Sequence, residues 1–561
     1  MSILDASIIG CYFIFILIAA ILFKRFATTS AGFIRGGGAM MWWMAGATAF
    51  MTQFSAWTFT GAAAKAYEDG LGVLFLFWGN ALGFFVAAWY FAARYRKLRV
   101  DTAMQVVRIR FGQTSEQIYT WLQFPLTTIS AAIWLNGLAI FVAAVFNIDL
   151  FITIILVGVF VTFIAVTGGS WTVSATNVIQ LVLLMAITLV VGGYALYVIG
   201  GPTELLNQYP SDPLLGNSMS YWQLFVLWVV FIMAKQTIGT NNAMSCYRFL
   251  VTTNEKEAQK AAWVAGLLFV IGPVMWFIPP WVAATYHIDL ASLYPNLGSD
   301  SNNAAYLYFI QYHMPNGVLG LVMAAMIAAT IAPMTTALNR NAGIFVRNVY
   351  QSVINPDATE QQQFNVGKIA TLANGVISTL AALLFASIKD YSFFDLMMLF
   401  GALLQMPLAI PSLLGLVFLR TPDWTAWSTL LVGLIVSCFM QFVFDVNWLL
   451  PLFDASQFSH REAVDLTVVA MLVAQIVITG GYFILTTLFY KAPQGERAAE
   501  LNEFYTNIER PILKDEEAAV DTRQGYYLGR LSQVLGLMII ILGLTYGNFL
   551  DISIFAAIDM M

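Results

Sequence analysis

Charge is what this chain of 561 residues has least of: Asp, Glu, Lys and Arg make up 10% of it, against 59% hydrophobic residues. Soluble domains carry about 25% charged residues, so the deficit excludes an ordinary soluble protein and indicates repeated membrane crossing. Cysteine is nearly absent. Cys11, Cys246 and Cys438 lie in or beside apolar runs without CxxC or CxxH spacing, which leaves them as small buried hydrophobes rather than metal ligands. Histidine is as scarce, and His287, His313 and His460 all fall in loops predicted to share one side. No acidic residue falls deep inside an apolar span, Asp395 and Asp465 lying near span ends, so the carboxylate or histidine relay of a proton pump is missing. HExxH, GxSxG and Walker A sequences are absent, as is any stretch long enough for a soluble catalytic domain. An enzyme or an organic cofactor has nothing to stand on.

What is present is about fourteen apolar spans, each near the ~20 residues a helix needs to cross a bilayer. They run over 5–24, 40–67, 71–93, 119–146, 150–167, 174–199, 221–243, 262–286, 316–347, 367–388, 392–418, 424–446, 464–490 and 529–550. The first lacks a basic n-region and an A-x-A cleavage site and reads as an anchor rather than a removed signal. Lys and Arg crowd alternate loops: Lys24, Arg25 and Arg35; Arg94 to Arg110; Arg248, Lys256 and Lys260; Lys491 to Arg523. The opposite loops, 200–220, 287–315 and 447–463, hold only Arg461. Basic loops stay in the cytoplasm, which predicts both termini outside it and an even number of spans in a cell membrane. Loop 491–527 carries charges of both signs and reads as a solvated amphipathic helix, with partner docking as the weaker alternative.

The polar chemistry concentrates in three spans. Gly317 to Tyr350 carries Thr330, Pro333, Thr335, Thr336, Asn339, Arg340 and Asn341 within an otherwise apolar helix, beside the small residues Ala324, Ala325, Ala328 and Ala329. Such a run is expected to face protein or a water-filled path, not lipid. The span 221–243 holds Lys235 followed by Gln236, Thr237, Gly239, Thr240, Asn241 and Asn242; the span 40–67 holds Thr52, Gln53, Ser55, Thr58, Thr60 and Gly61. Two polar, Gly-interrupted spans five apart fit broken helices in an inverted repeat of five plus five. Hydrogen bonding to neighbouring helices is the bland alternative. A buried Lys235 without a carboxylate lacks a partner that an anionic solute group could supply. Lys65, nearer the outer end, is expected to snorkel.

The chain resembles the sodium:solute symporters, of the sodium/glucose and sodium/proline symporter kind, as an atypical member. The resemblance rests on Trp42–Trp43 with the run Ser55 to Gly61, R-x-R-F-G at Arg108 to Gly112, and GG-x-W…T-N-V-I-Q at Gly168 to Gln180. It also rests on N-x5-R-x-L at Asn242 to Leu250 and A-L-N at Ala337 to Asn339. It implies an all-α polytopic membrane protein with a LeuT-like core of two inverted five-helix repeats and alternating access. The core is expected over 40–420, after an extra helix and cytoplasmic loop at 1–39 and before three further helices at 421–561.

The resemblance further implies a sodium site built from backbone carbonyls at Met51, Phe54 and Ala329 with two hydroxyl side chains. The hydroxyl positions match Ala332 and Pro333, so both hydroxyls are gone. A second sodium site in some members adds a carboxylate and another hydroxyl pair. Here Asn177 matches the carboxylate, and Thr335 and Thr336 keep the hydroxyls. The solute site it implies is lined by Gln53, Ser55, Trp57, Thr58, Lys235, Thr237, Ile238 and Gly239. Import of a small, carboxylate-bearing organic solute coupled to sodium is the expected function, with no nucleic-acid or obligate protein partner. Sodium-independent or proton-coupled carriage, and a transporter-like sensor, are the alternatives.

Overall fold

The computed structural model describes residues 2–23, 40–100, 102–210, 222–388 and 393–517, with scattered positions at 212, 214 and between 526 and 537. Among them there is no strand; an isolated bridge joins Met40 and Thr252. Eleven helices are long and apolar enough to cross a membrane, with a shorter apolar helix at Ile3–Ile16. Twelve of the fourteen expected spans coincide with these helices or with the leading helix Ile3–Phe23; the span 40–67 is split between Trp42–Met51 and the start of Ala56–Lys97, and the span at 529–550 lies largely outside the described residues. The expected spans 150–167 and 174–199 correspond to Leu150–Thr167 and Asn177–Ile199, helical segments that follow one another within Leu150–Ile199.

Local sequence explains where helices begin and bend. Capping boxes Thr102/Gln105, Thr359/Gln362 and Ser459/Glu462 open three of them, each hydroxyl taking a backbone N–H that the first turn leaves orphaned. Gly112, at φ +81°, lets the chain bend inside Ala103–Phe146. The central helix, Val318–Ile344, follows Gly317 at φ +97° and is capped from outside: Asp5 of the leading helix accepts from the N–H groups of Gly317 and Gly320, both at 2.9 Å. Almost all of this helix is enclosed by protein, as its polar streak requires.

The loops expected to share a side do come together. At the basic end Arg96 donates to the carbonyls of Thr252 and Thr253 at 2.6 and 2.9 Å, and Arg497 reaches Asp423 and the Ile109 carbonyl. The buried Arg110 of the R-x-R-F-G motif donates to the carbonyls of Gly415, Phe418 and Leu419 and to Thr421 Oγ1. That motif is therefore a clamp on the C-terminal turns of the span Phe393–Leu414. The amphipathic helix expected within 491–527 is Glu496–Glu509; it packs against Ala92–Lys97 and Ala103–Phe146 and buries Leu501, Phe504 and Ile508.

At the opposite end Lys65 corrects an expectation. It is buried instead of snorkelling, pairs with Asp69, and donates to Asp465 Oδ2 at 3.0 Å. Arg461 completes the cluster against Asp395 at 3.0 Å, Asp465 at 3.4 Å and Asp69 at 3.7 Å. Charges that look separate at span ends in the sequence thus neutralise one another across three helices.

Candidate functional site

The first polar span breaks where its composition suggests. Trp42–Met51 is helical, Thr52 to Ser55 leave the helix, and a short turn Ala56–Phe59 leads into Gly61–Asp69. Ser55 is extended (φ −152°, ψ 174°) and accepts from Trp57 N–H. The central helix braces this break directly, Thr330 Oγ1 accepting from the Ala56 N–H at 3.1 Å. A polar side chain in the central helix thus supplies an acceptor that the interrupted backbone of the first span lacks.

The second polar span breaks at the last of its polar residues. Trp222–Asn241 is continuous through Lys235 and Gly239, and the interruption comes at Asn242, before the turn Ala243–Ser245 and the short helix Tyr247–Leu250. Side chains fill the backbone vacancies there. Asn242 Nδ2 and Ser245 Oγ each donate to the Gly239 carbonyl at 2.7 Å, and Asn242 Oδ1 accepts from Ser245 N–H. The Gly239 carbonyl, which the break would otherwise leave free, is thus already partnered.

Between the two breaks lies a cavity of about 250 Å³. Its wall takes Thr52 and Gln53 from the first broken helix and Gln236, Gly239, Thr240, Asn242, Ser245 and Arg248 from the second. Arg340 comes from the central helix, and Asn80, Gln123, Thr127, Ser130, Trp134 and Gln405 from neighbouring spans. Gln53, with its amide oxygen toward Arg248, accepts from that guanidinium and donates to Asn80 Oδ1 at 3.1 Å.

Of the expected solute residues, Gln53 and Gly239 stand on this wall. Ser55, Trp57 and Thr58 are buried in the break, where Trp57 stacks on Phe394 with ring centroids 5.6 Å apart. Thr237 donates back to its own helix at Met233, and Ile238 packs against the apolar core. Lys235 points elsewhere: its Nζ lies 3.6 Å from Met398 Sδ and against the Cα of Gly401. The wall residues that sequence reasoning did not assign to the solute site include the amides other than Gln53 and the two arginines. Arg248 reads as a topology-setting loop charge and Arg340 as one member of a polar run, so only the fold reveals that both face one space.

The expected ion-site residues converge on three packed elements. Met51 and Phe54 flank the first break, both fully buried, and Ala329, Ala332, Pro333 and Thr335 are buried in the central helix beside it. Thr335 Oγ1 donates to the Ile331 carbonyl at 2.6 Å, leaving its lone pairs as acceptors. Thr336 and Pro333 line a smaller pocket of about 50 Å³ with Thr48, Thr52, Arg248 and Arg340. Asn177, on the helix that packs along the central one, is fully buried with neither amide atom partnered. Neutral oxygens of this kind suit a monovalent cation better than a transition metal, and no cluster of His, Cys, Asp or Glu fit for a metal occurs among the described residues.

Comparison with known proteins agrees with this architecture. Residues 33–433 match the sodium:solute symporter family as a whole. The sodium/myo-inositol cotransporter 2 of Mus musculus is 24% identical over 556 residues, covering 92% of this chain and 81% of that protein. The sodium/sialic acid symporter of Proteus mirabilis is 24% identical over 466 residues, covering 79% and 91%. The sodium/glucose cotransporter 1 of Oryctolagus cuniculus is 24% identical over 472 residues, covering 77% and 71%. A solved Na+-coupled sialic acid symporter, substrate-bound and outward-open, shares the fold with a TM-score of 0.67 at 20% identity, over 87% of this chain and 98% of its own.

Proposed function

The chain belongs to the sodium:solute symporter family, and from that premise we propose that it imports a compact polar solute through the cavity between its broken helices, in symport with sodium. As a member it is a multi-pass membrane transporter rather than an enzyme, with sodium and a small solute as its cargo. The observation that carries the solute site is the cavity itself: a space of about 250 Å³ walled by amides and hydroxyls from both broken helices, where a solute can exchange hydration for fixed hydrogen bonds. The sodium reading rests on Met51, Phe54 and Ala329 as carbonyl donors, with Thr335, Thr336 and Asn177 as neutral oxygens nearby.

A sodium-independent carrier is the second reading, and one observation favours it. Arg340 lines the same small pocket as Pro333 and Thr336, so a fixed cation stands beside the ion position whose hydroxyls are missing. Uptake into proteoliposomes separates the two. Sodium-coupled symport is expected to collapse when choline replaces sodium and to drive accumulation under an inward sodium gradient. Undiminished uptake in choline rules symport out. Inside-out orientation of the basic loops, with both termini outside a cell membrane, is tested separately by tagging residue 2 for impermeant labelling.

A further inference from the structure

We infer that the cavity selects solutes bearing a carboxylate, held by Arg248 and Arg340. The inference rests on the reading of this cavity as the solute site. Both guanidiniums reach its wall from different elements, and no Asp or Glu lines it. Neither arginine has an ion pair among the described residues, and what each touches is neutral. Arg248 meets Gln53 Oε1 and lies 5.3 Å from the Phe84 ring. Arg340 reaches only the Met244 carbonyl, at a long 3.4 Å, and its buried Nε has no acceptor. The two cations also repel each other.

Two other buried arginines are far better compensated. Arg110 donates to three carbonyls and a hydroxyl, although its Nη1 lacks an acceptor, and Arg461 stands against three carboxylates. A pair of partly buried like charges left with neutral partners is costly unless something anionic completes it. Guanidinium forks match a carboxylate bidentately, and the remaining wall amides are suited to hydroxyl or amide groups on the same solute. The cavity lies below the ~300–1,000 Å³ of sites for drug-sized ligands, which favours a compact organic acid. Lys235, the cation that sequence alone nominates for this task, is not on the wall.

Thermal stabilisation of the purified full-length protein by paired probes tests this: glucuronate against glucose, lactate against lactamide, N-acetylneuraminate against its methyl ester. At least one acid is expected to protect while its neutral mate does not. Arg340→Gln and Arg248→Gln are each expected to weaken that acid's affinity tenfold or more, with Arg→Lys restoring part of it. Should a glutamine variant not fold, the lysine variants carry the comparison, since they keep the charge and lose the fork. Equal protection by the neutral mates, or by no acid, overturns the inference. So does loss of acid binding in Lys235→Met with both arginine variants unaffected. Binding of acids without sodium-driven uptake would leave this inference standing and remove the symport reading; sodium-driven uptake of neutral solutes alone would do the reverse.

Discussion

At Pro333 the central helix loses a hydrogen bond, because the ring has no N–H to give the Ala329 carbonyl. That carbonyl is the one the family resemblance assigns to sodium, so the residue that removes a hydroxyl ligand also frees a backbone one. Sodium prefers several hard oxygens, and each hydroxyl restored adds one. Ala332→Ser combined with Pro333→Ser is therefore expected to raise apparent sodium affinity about tenfold, ~1.4 kcal/mol, in uptake measured against sodium concentration. An unchanged sodium dependence would place coupling away from these positions. The buried cluster at the opposite end makes a second prediction at this scale. Asp465→Asn leaves Lys65 and Arg461 short of a carboxylate, and removal of one partner of a buried pair costs about 3–5 kcal/mol. The melting temperature in detergent is expected to fall well below that of the double variant Lys65→Met/Asp465→Leu, which removes both charges of that pair together.

The cap on the central helix works between elements. Asp5 belongs to the leading helix, yet it takes two N–H groups from the start of another, a negative charge placed where the helix dipole is positive. Asp5→Ala is expected to destabilise by about 0.5–2 kcal/mol, read as a lower melting temperature, and Asp5→Asn by less. The helix Glu496–Glu509 and the turn after it form a strap across the basic end. Glu516 accepts from Arg99 at 2.7 Å and from the Leu513 N–H, and these bonds hold its carboxyl down to about 2. Because this value is depressed, the strap's contact is complete above the ordinary carboxylate range near 4.5 and is lost as pH falls towards about 2. Amide exchange over 496–509 is expected to speed up across that acid window, and at neutral pH in Glu516→Gln. Elements such as these show what sequence could and could not supply. Span positions, the first break and the sidedness of loops follow from hydropathy, glycine and Lys/Arg placement, all of which are local. Where within the run Lys235 to Asn242 the second span breaks is set by Asn242 and Ser245, which cap it by side-chain geometry that no periodicity encodes. The facing of Arg248 and Arg340, far apart in sequence, depends on how three spans pack.

Over the whole molecule, the two ends of the cavity are held by different chemistry. Towards the basic end the wall carries the unpaired arginines, whereas stacked rings and the charge cluster lie off the wall towards the opposite end, Phe394 lying 5.6 Å from Lys65 Nζ and 6.0 Å from the Arg461 guanidinium. The cluster ties the second half of the first broken helix (Lys65, Asp69) to the span of Asp395 and to the later helix of Arg461 and Asp465. Alternating access requires that these helices separate, and a protein populates its closed and open forms according to a gap of a few kcal/mol. Breaking a buried ionic contact made only in the closed form moves that gap towards the open one. In Arg461→Gln, three carboxylates lose their shared cation, so the far end is expected to open more often. A cysteine at Trp57→Cys, in a background without Cys11, Cys246 and Cys438, reports on it. Its reaction with an impermeant thiol reagent is expected to be about tenfold faster in Arg461→Gln, which corresponds to ~1.4 kcal/mol of the gap. An equal rate would mean that the cluster stabilises both forms alike and serves the fold rather than the transport cycle.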